Sequence, residues 1–171
     1  MSFYIQISDF KGQSETAKDI FTTNDLQDYI DKFEVRYLQD LLGCELYEEF
    51  AIDFAITGVL PTAPKFQLIW NPFCKDDNCG IRRSEGIKEM LSLFIYFEYL
   101  RDQPVKNNIG GPQLNDQANS TAATPTQTNI FTNYNEALES YWAIQWIICD
   151  NPDSYDWDKY NGQCKELISL I

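Results

Sequence analysis

The 171-residue sequence contains no histidine. Histidine is the commonest general base in enzymes and the commonest metal ligand, so its absence removes the usual partner of a Ser or Cys nucleophile. Ser8 and Lys11 do stand at a Ser-x-x-Lys spacing, but the companion motifs of enzymes that use this spacing are missing. The sequence therefore predicts a protein that is not an enzyme and that needs no cofactor.

Basic residues are also scarce, with 13 Lys and Arg against 26 Asp and Glu, which gives a net charge of −13. Binding to nucleic-acid phosphates or to anionic membranes depends on Lys and Arg, so this balance argues against both. The longest mostly apolar run, Met90–Phe97, is too short to cross a bilayer. A solvated acidic surface or a basic protein partner fits the charge.

Five cysteines occur, at positions 44, 74, 79, 149 and 164. The odd number, together with a first segment that lacks the pattern of a secretory signal, predicts reduced thiols in a cytosolic compartment. Cys74 and Cys79 enclose the acidic pair Asp76-Asp77, which is the one arrangement that resembles a metal site. No second Cys or His pair lies nearby in the sequence, so we predict a polar loop with free thiols and no metal.

Aromatic residues are abundant, with 11 Phe, 10 Tyr and 4 Trp. Most of them recur at helical spacing, which is typical of a buried core. Three lie beside predicted loops and are candidate interface anchors, because Trp and other aromatic residues are enriched at binding hot spots. These candidates are Trp70, Phe73 and Trp157.

Apolar residues at steps of three and four predict an all-α protein, a small helical bundle in one domain. The first helix is predicted to start at Asn24, with Gln27 completing a capping box, and to end near Gly43. A second helix is closed by Gly58 and Pro61, and a short third one covers Pro64–Asn71.

The longest apolar helix is predicted to be central and the most buried, since apolar residues surround much of it. It is expected to be capped by Ser84 and to end near Asp102, after a polar loop over Cys74–Arg83. A last major helix starts at Asn129 or Thr132 and ends before Pro152. A short helix over Gln163–Leu170 and an N-terminal arm over residues 1–23, with a short strand or extended segment at Phe3–Ile7, complete the prediction.

A polar stretch of low charge, Gln103–Asn129, interrupts the helices. Its only charged residues are Lys106 and Asp116, and it holds three prolines and two glycines. A loop of this length inside a domain is uncommon and is usually functional or disordered. We predict a projecting loop that contacts other proteins, with candidate contact residues Ile109, Leu114 and Thr126.

Four phrases of the sequence resemble the head–tail connector, or adaptor, proteins of tailed phages, in the version found in crAss-like phages of gut Bacteroidales. They are YLQDLLGCELYEEF (37–50), PKFQLIWNPF (64–73), SEGIKEMLSLFIYFEYLRDQ (84–103) and TPTQTNIFTNYNEAL (124–138). Their order also matches, and the resemblance covers about residues 24–148. The Cys74–Cys79 segment has no counterpart in the family pattern.

The resemblance implies a helical protomer in a ring of about twelve copies beneath the portal. Such a ring would extend the DNA channel, with genomic DNA only passing through, and would dock neighbouring tail or ring proteins. It implies a place in the virion, after assembly in the host cytoplasm, and contacts made by the N-terminal arm, Gln103–Asn129 and the C-terminal segment. The family brings no catalytic residues. The alternative is an acidic cytosolic binding protein, for example a phage-encoded inhibitor of a basic host protein.

Overall fold

Most of the described chain is helical, as expected, but it also contains two small sheets. The computed structural model describes residues 4–11, 14, 20–77, 80–102, 105–108, 111–114, 127–156 and 160–167. A 3₁₀ turn covers Ile7–Asp9, and the helices are α1 Ile20–Leu42, α2 Cys44–Thr57, α3 Pro64–Trp70, α4 Ile87–Asp102, α5 Gln127–Asp150 and α6 Pro152–Tyr155. The strands are β1 Phe73–Asp77, β2 Gly80–Ser84, β3 Val105–Asn108 and β4 Gly111–Leu114.

Helix α4 is the centre of the fold, as the sequence predicted. Ten of its 16 residues are buried, and it packs chiefly against α5 and α1. Tyr37 from α1 stacks on Phe94 from α4, with ring centroids 4.5 Å apart, and Tyr141 from α5 meets Phe94 edge-on. The three longest helices therefore share one aromatic and aliphatic core.

The predicted stops of the early helices are confirmed. Gly43 separates α1 from α2 with φ of 74°, and Gly58 ends α2 in the left-handed region, where glycine has no Cβ to clash. Helix α3 begins at Pro64 and ends before Asn71-Pro72. The predicted start of α1 is wrong, because the helix begins at Ile20 and Asn24 lies inside it.

The predicted loop over Cys74–Arg83 is a β-hairpin. Strands β1 and β2 pair antiparallel, with Phe73 opposite Ser84 and Asp77 opposite Gly80. Ser84 ends β2 and does not cap α4 as predicted; its hydroxyl accepts a hydrogen bond from the Gly86 N–H at 3.0 Å. The hairpin escaped prediction because its strands carry little apolar alternation.

The stretch Gln103–Asn129 is not a loop throughout. Strands β3 and β4 form a second antiparallel hairpin, in which Val105 pairs with Leu114, and α5 already begins at Gln127. Residues 103–104, 109–110 and 115–126 lie outside the described part of the chain. The predicted projecting loop is therefore interrupted by regular structure at both of its ends.

The described parts of both terminal segments lie against the helical body. Tyr4, Ile5 and Phe10 are buried. The described residues 4–7 form no strand, Gln6 is extended, and a 3₁₀ turn follows at Ile7–Asp9. The C-terminal segment 160–167 is irregular, so the described part of the predicted helix Gln163–Leu170 is not helical. The Gln163 N–H donates to the Asp40 carbonyl at 2.6 Å, which fixes this segment on α1.

Candidate interaction surface

Four large apolar side chains stand exposed at one end of α2. Ile52, Ile56, Val59 and Leu60 are 72%, 70%, 67% and 45% exposed, and together we call them the apolar patch. Ile52 and Ile56 lie four residues apart, so they share one face of the helix. Val59 and Leu60 follow in the loop that leads to α3. Single exposed apolar residues are common, whereas a group of four near one helix end is a candidate binding surface.

The loop that carries Val59 and Leu60 is fixed by hydrogen bonds. The Thr57 Oγ1 accepts from the N–H groups of Val59 and Leu60 at 3.2 and 3.1 Å, and it lies 2.5 Å from the Leu60 carbonyl oxygen. The Gly58 N–H closes α2 by donating to the Phe54 carbonyl at 2.9 Å. The backbone beneath the patch is therefore ordered before any partner binds, which lowers the entropy cost of binding.

Asp53 ties the far end of the same loop to α2. Its carboxylate accepts from the Thr62 N–H at 2.7 Å and from the Ala63 N–H at 3.0 Å, and it also bonds the Thr62 hydroxyl. Desolvation opposes ionisation of Asp53, but the hydrogen bonds from Thr62 and Ala63 outweigh it and hold the pKa below its ordinary value. The loop is thus held at both ends by side chains of α2.

We predict that Asp53→Ala loosens this loop without unfolding the protein. The N–H groups of Thr62 and Ala63 lose their acceptor just before α3, a loss comparable to that of a helix cap, which costs about 1 kcal/mol. Hydrogen exchange at these two amides should accelerate, and urea denaturation should show the small loss of stability. Glu45→Ala, which removes an exposed acid from the first turn of α2, is the control. Unchanged exchange at Thr62 and Ala63 would contradict the role assigned to Asp53.

The surface beside the patch is acidic. Helix α2 contains four acidic residues, Glu45, Glu48, Glu49 and Asp53, and no basic residue. Glu49 forms an ion pair with Lys65 of α3, in which Glu49 Oε2 lies 2.7 Å from Lys65 Nζ. The exposed end of α2 therefore combines an apolar patch with negative charge one to two helical turns before it.

The anchors predicted from the sequence do not form this surface. Trp70 is buried, with ring centroids 5.3 Å from Phe54 and 6.0 Å from Phe50, so its surface stabilises the core and is not open to a partner. Phe73 is half-buried against the same core. The third predicted anchor, Trp157, lies outside the described residues. Of the predicted loop contacts, Leu114 lies in β4, while Ile109 and Thr126 lie outside the described residues.

A sequence signal for the patch did exist. The buried residues of α2 are Leu46, Phe50 and Phe54, which form its inward face. Ile52 falls halfway between Phe50 and Phe54 and therefore points away from that face. An apolar residue out of phase with the core pattern of its helix is the feature that would have indicated this surface.

Other kinds of site find no support in the described chain. Among the residues that the structure describes, no group of three or more Cys, Asp or Glu side chains could hold a metal ion. Cys74 is exposed and free, and Cys79 lies outside the described residues. Within the same limits, every helix is too short or too polar to cross a membrane.

The chain was compared with protein-family models, curated proteins and solved structures. No protein-family model, curated protein or solved structure matches the chain. The features described above define a class: a mostly helical protein that presents a preorganised apolar patch beside acidic side chains.

Proposed function

We propose that this chain is a virion structural protein, a head–tail connector that forms a ring beneath the portal of a tailed phage. The ring would extend the DNA channel and dock tail proteins. The apolar patch carries the proposal, because a protein whose task is assembly needs exposed apolar surface on a rigid support. The resemblance of four sequence phrases to phage connectors supplies the particular assembly.

A ring places specific demands on its subunit. Each copy must offer one surface to the copy on one side and a different surface to the copy on the other side. The patch on α2 is suited to be one of these two surfaces, since its four apolar side chains lie on fixed backbone. Neither a catalytic group nor a ligand is needed for such a role.

The mass of the assembly tests this proposal. Mass photometry of the protein mixed with portal protein should show complexes that contain about twelve copies, as expected for a closed ring that matches the portal. Ile56→Asp places a charge in the patch and should reduce assembly, whereas Lys32→Asp on the exposed side of α1 should not. A wild-type protein that stays monomeric and does not bind portal would refute the connector role.

The alternative, an acidic protein that binds a basic partner, is favoured by one observation. Asp25, Asp28 and Asp31 are all exposed on α1 at steps of three residues, so they line one face. A pull-down from host lysate would then recover a basic protein whose binding survives Ile56→Asp. That binding would be lost when the three aspartates are replaced by asparagine.

A further inference from the structure

We propose that the apolar patch of one copy receives the β1–β2 hairpin of a second copy of this chain. This inference rests on the ring assembly of the proposed function and specifies its subunit contact. The contact would be heterologous, because hairpin and patch are different surfaces of the same protein. Three features of the described residues support it: the exposed face of the hairpin, the opposite net charges of the hairpin and helix α2, and the similar spacing of the residues along these two elements.

The hairpin presents an exposed face of its own. Residues paired across an antiparallel sheet point to the same side, so Ile81 shares a face with Asp76, and Arg83 shares one with Cys74. Because residues two apart in a strand also point to the same side, all four side chains lie on one face. All four of these side chains are exposed, and Ile81 is 64% exposed. The opposite face carries the buried Ser84, whose hydroxyl lies 2.5 Å from that of Ser140 on α5.

This attachment also keeps the hairpin in place. Strand β2 packs along α5, and Phe73 at the start of β1 is half-buried against the core. The base of the hairpin is therefore held by the body, while Ile81 and Arg83 face away from it. A hairpin held in this way can enter a neighbour's surface with little loss of conformational freedom.

The hairpin as a whole and helix α2 carry opposite net charges. The hairpin has three basic residues, Lys75, Arg82 and Arg83, and two acidic ones, so its net charge is +1 in a protein of −13. Arg83 is the basic residue of the exposed face, which it shares with Asp76, while Lys75 and Arg82 lie on the opposite face. Helix α2 has four acids and no base, a net charge of −4. Opposite charges at an interface favour the correct partner and speed its association. A basic segment of the same chain is thus a suitable occupant for an apolar patch with an acidic border.

The spacings of the residues along the two elements also agree. Glu48 precedes Ile52 by four residues on α2, which is about 6 Å along the helix. Ile81 and Arg83 lie two residues apart on β2, which is about 6.7 Å along a strand. If Ile81 rests on Ile52 and Ile56, Arg83 reaches the Glu48 carboxylate. A charge-assisted hydrogen bond between these groups would then fix the register of the contact.

A charge swap between these two positions tests the contact. Arg83→Glu alone and Glu48→Arg alone should each weaken self-association roughly tenfold, as expected for a close interfacial charge pair. The double variant should recover most of the wild-type affinity, because the pair is restored with reversed signs. Self-association is measured by sedimentation velocity and by mass photometry, with and without portal. Arg36→Glu, a charge reversal at an exposed site on α1, is the matched control.

A third variant keeps the test independent of the charge pair. Ile81→Asp puts a carboxylate where the hairpin would enter the patch and should abolish self-association. Each altered side chain is exposed, so unfolding midpoints should stay close to that of the wild type.

The outcomes distinguish this inference from the proposed function. Rescue by the double variant supports the hairpin contact. Rings that still form in the Ile81→Asp variant overturn the contact and leave the connector role standing. A patch variant, Ile52→Asp, that loses portal binding but keeps self-association also overturns it, since portal would then occupy the patch. A wild-type protein that forms no assembly defeats both.

Discussion

Replacing Phe50 with Ala is expected to lower the free energy of unfolding by about 3 to 5 kcal/mol. Phe50 lies on the inward face of α2 and is fully buried. Its ring centroid lies 5.4 Å from that of Tyr4, 5.3 Å from that of Phe66 and 6.0 Å from that of Trp70. The side chain thus joins the N-terminal segment, α2 and α3. Its loss leaves a cavity whose rigid aromatic walls cannot close.

The neighbouring exposed residue provides the control for this prediction. Ile52→Ala also shortens an apolar side chain of the same helix to a methyl group, but Ile52 is mostly exposed. Its effect on stability should stay within about 0.5 kcal/mol. Urea denaturation followed by circular dichroism measures both variants. Equal losses for the two positions would mean that the inward and outward faces of α2 have been assigned incorrectly.

The helices were predictable because their apolar residues recur with the helical period and their ends carry glycine or proline. The spacing of Ile87, Met90, Leu91, Phe94 and Ile95 identified α4 as the most buried helix, and all five are fully buried. Glycine at position 58 and proline at position 64 marked the end of α2 and the start of α3. These signals are local, so one sequence suffices to find them.

The hairpins were not predictable from the same signals. Strands β1 and β2 carry charged side chains on both faces, and the face that packs on the body does so through Ser84 and Phe73. Strand β2 packs against α5, which lies more than 40 residues further along the chain. Tertiary packing of this kind leaves no periodic trace in the strand itself.

The apolar patch was not predicted, for a different reason. Large aromatic residues near loops are the usual interface anchors, but Trp70 is part of the core and Phe73 packs against it. The exposed group consists of aliphatic residues, and its position follows from the phase of α2 and from the fixed loop after it. The sequence could indicate that Ile52 lies out of phase. It could not indicate that Thr57 and Asp53 hold Val59 and Leu60 beside it.

The N-terminal segment is held by a carboxylate in an unusual environment. Glu34 on α1 is only 3% exposed, and its Oε2 accepts from the N–H groups of Tyr4 and Ile5 at 3.1 and 3.4 Å. Burial raises the pKa of Glu34 from 4.5 to about 7. The two backbone hydrogen bonds lower this pKa and the nearby Asp31 raises it, but both effects are smaller than that of burial. In the folded protein the Glu34 carboxyl group therefore titrates near neutral pH.

Glu34 should make the folded protein less stable as the pH rises from 4.5 to about 7. In this interval the folded state holds the Glu34 proton more tightly than the unfolded state does, so a rise in pH favours unfolding. Below pH 4.5 both states are protonated at this position, and above about pH 7 both are ionised. Over this interval the free energy of unfolding falls by about 3 kcal/mol, at about 1.36 kcal/mol per pH unit.

Glu34→Gln is expected to remove this pH dependence. Glutamine keeps an oxygen that can accept from Tyr4 and Ile5 but carries no charge at any pH, so the variant should gain on the wild type as the pH rises, by about 3 kcal/mol between pH 4.5 and 8. Urea denaturation at intervals across this range measures the difference between the two proteins. Because Asp53 and the other carboxyl groups are present in both, their titration cancels in that difference. If the difference in the free energy of unfolding between the two proteins stays constant with pH, Glu34 has an ordinary pKa in the folded state. The rates of hydrogen exchange at the Tyr4 and Ile5 amides would then also differ between the two proteins by a factor that does not change with pH.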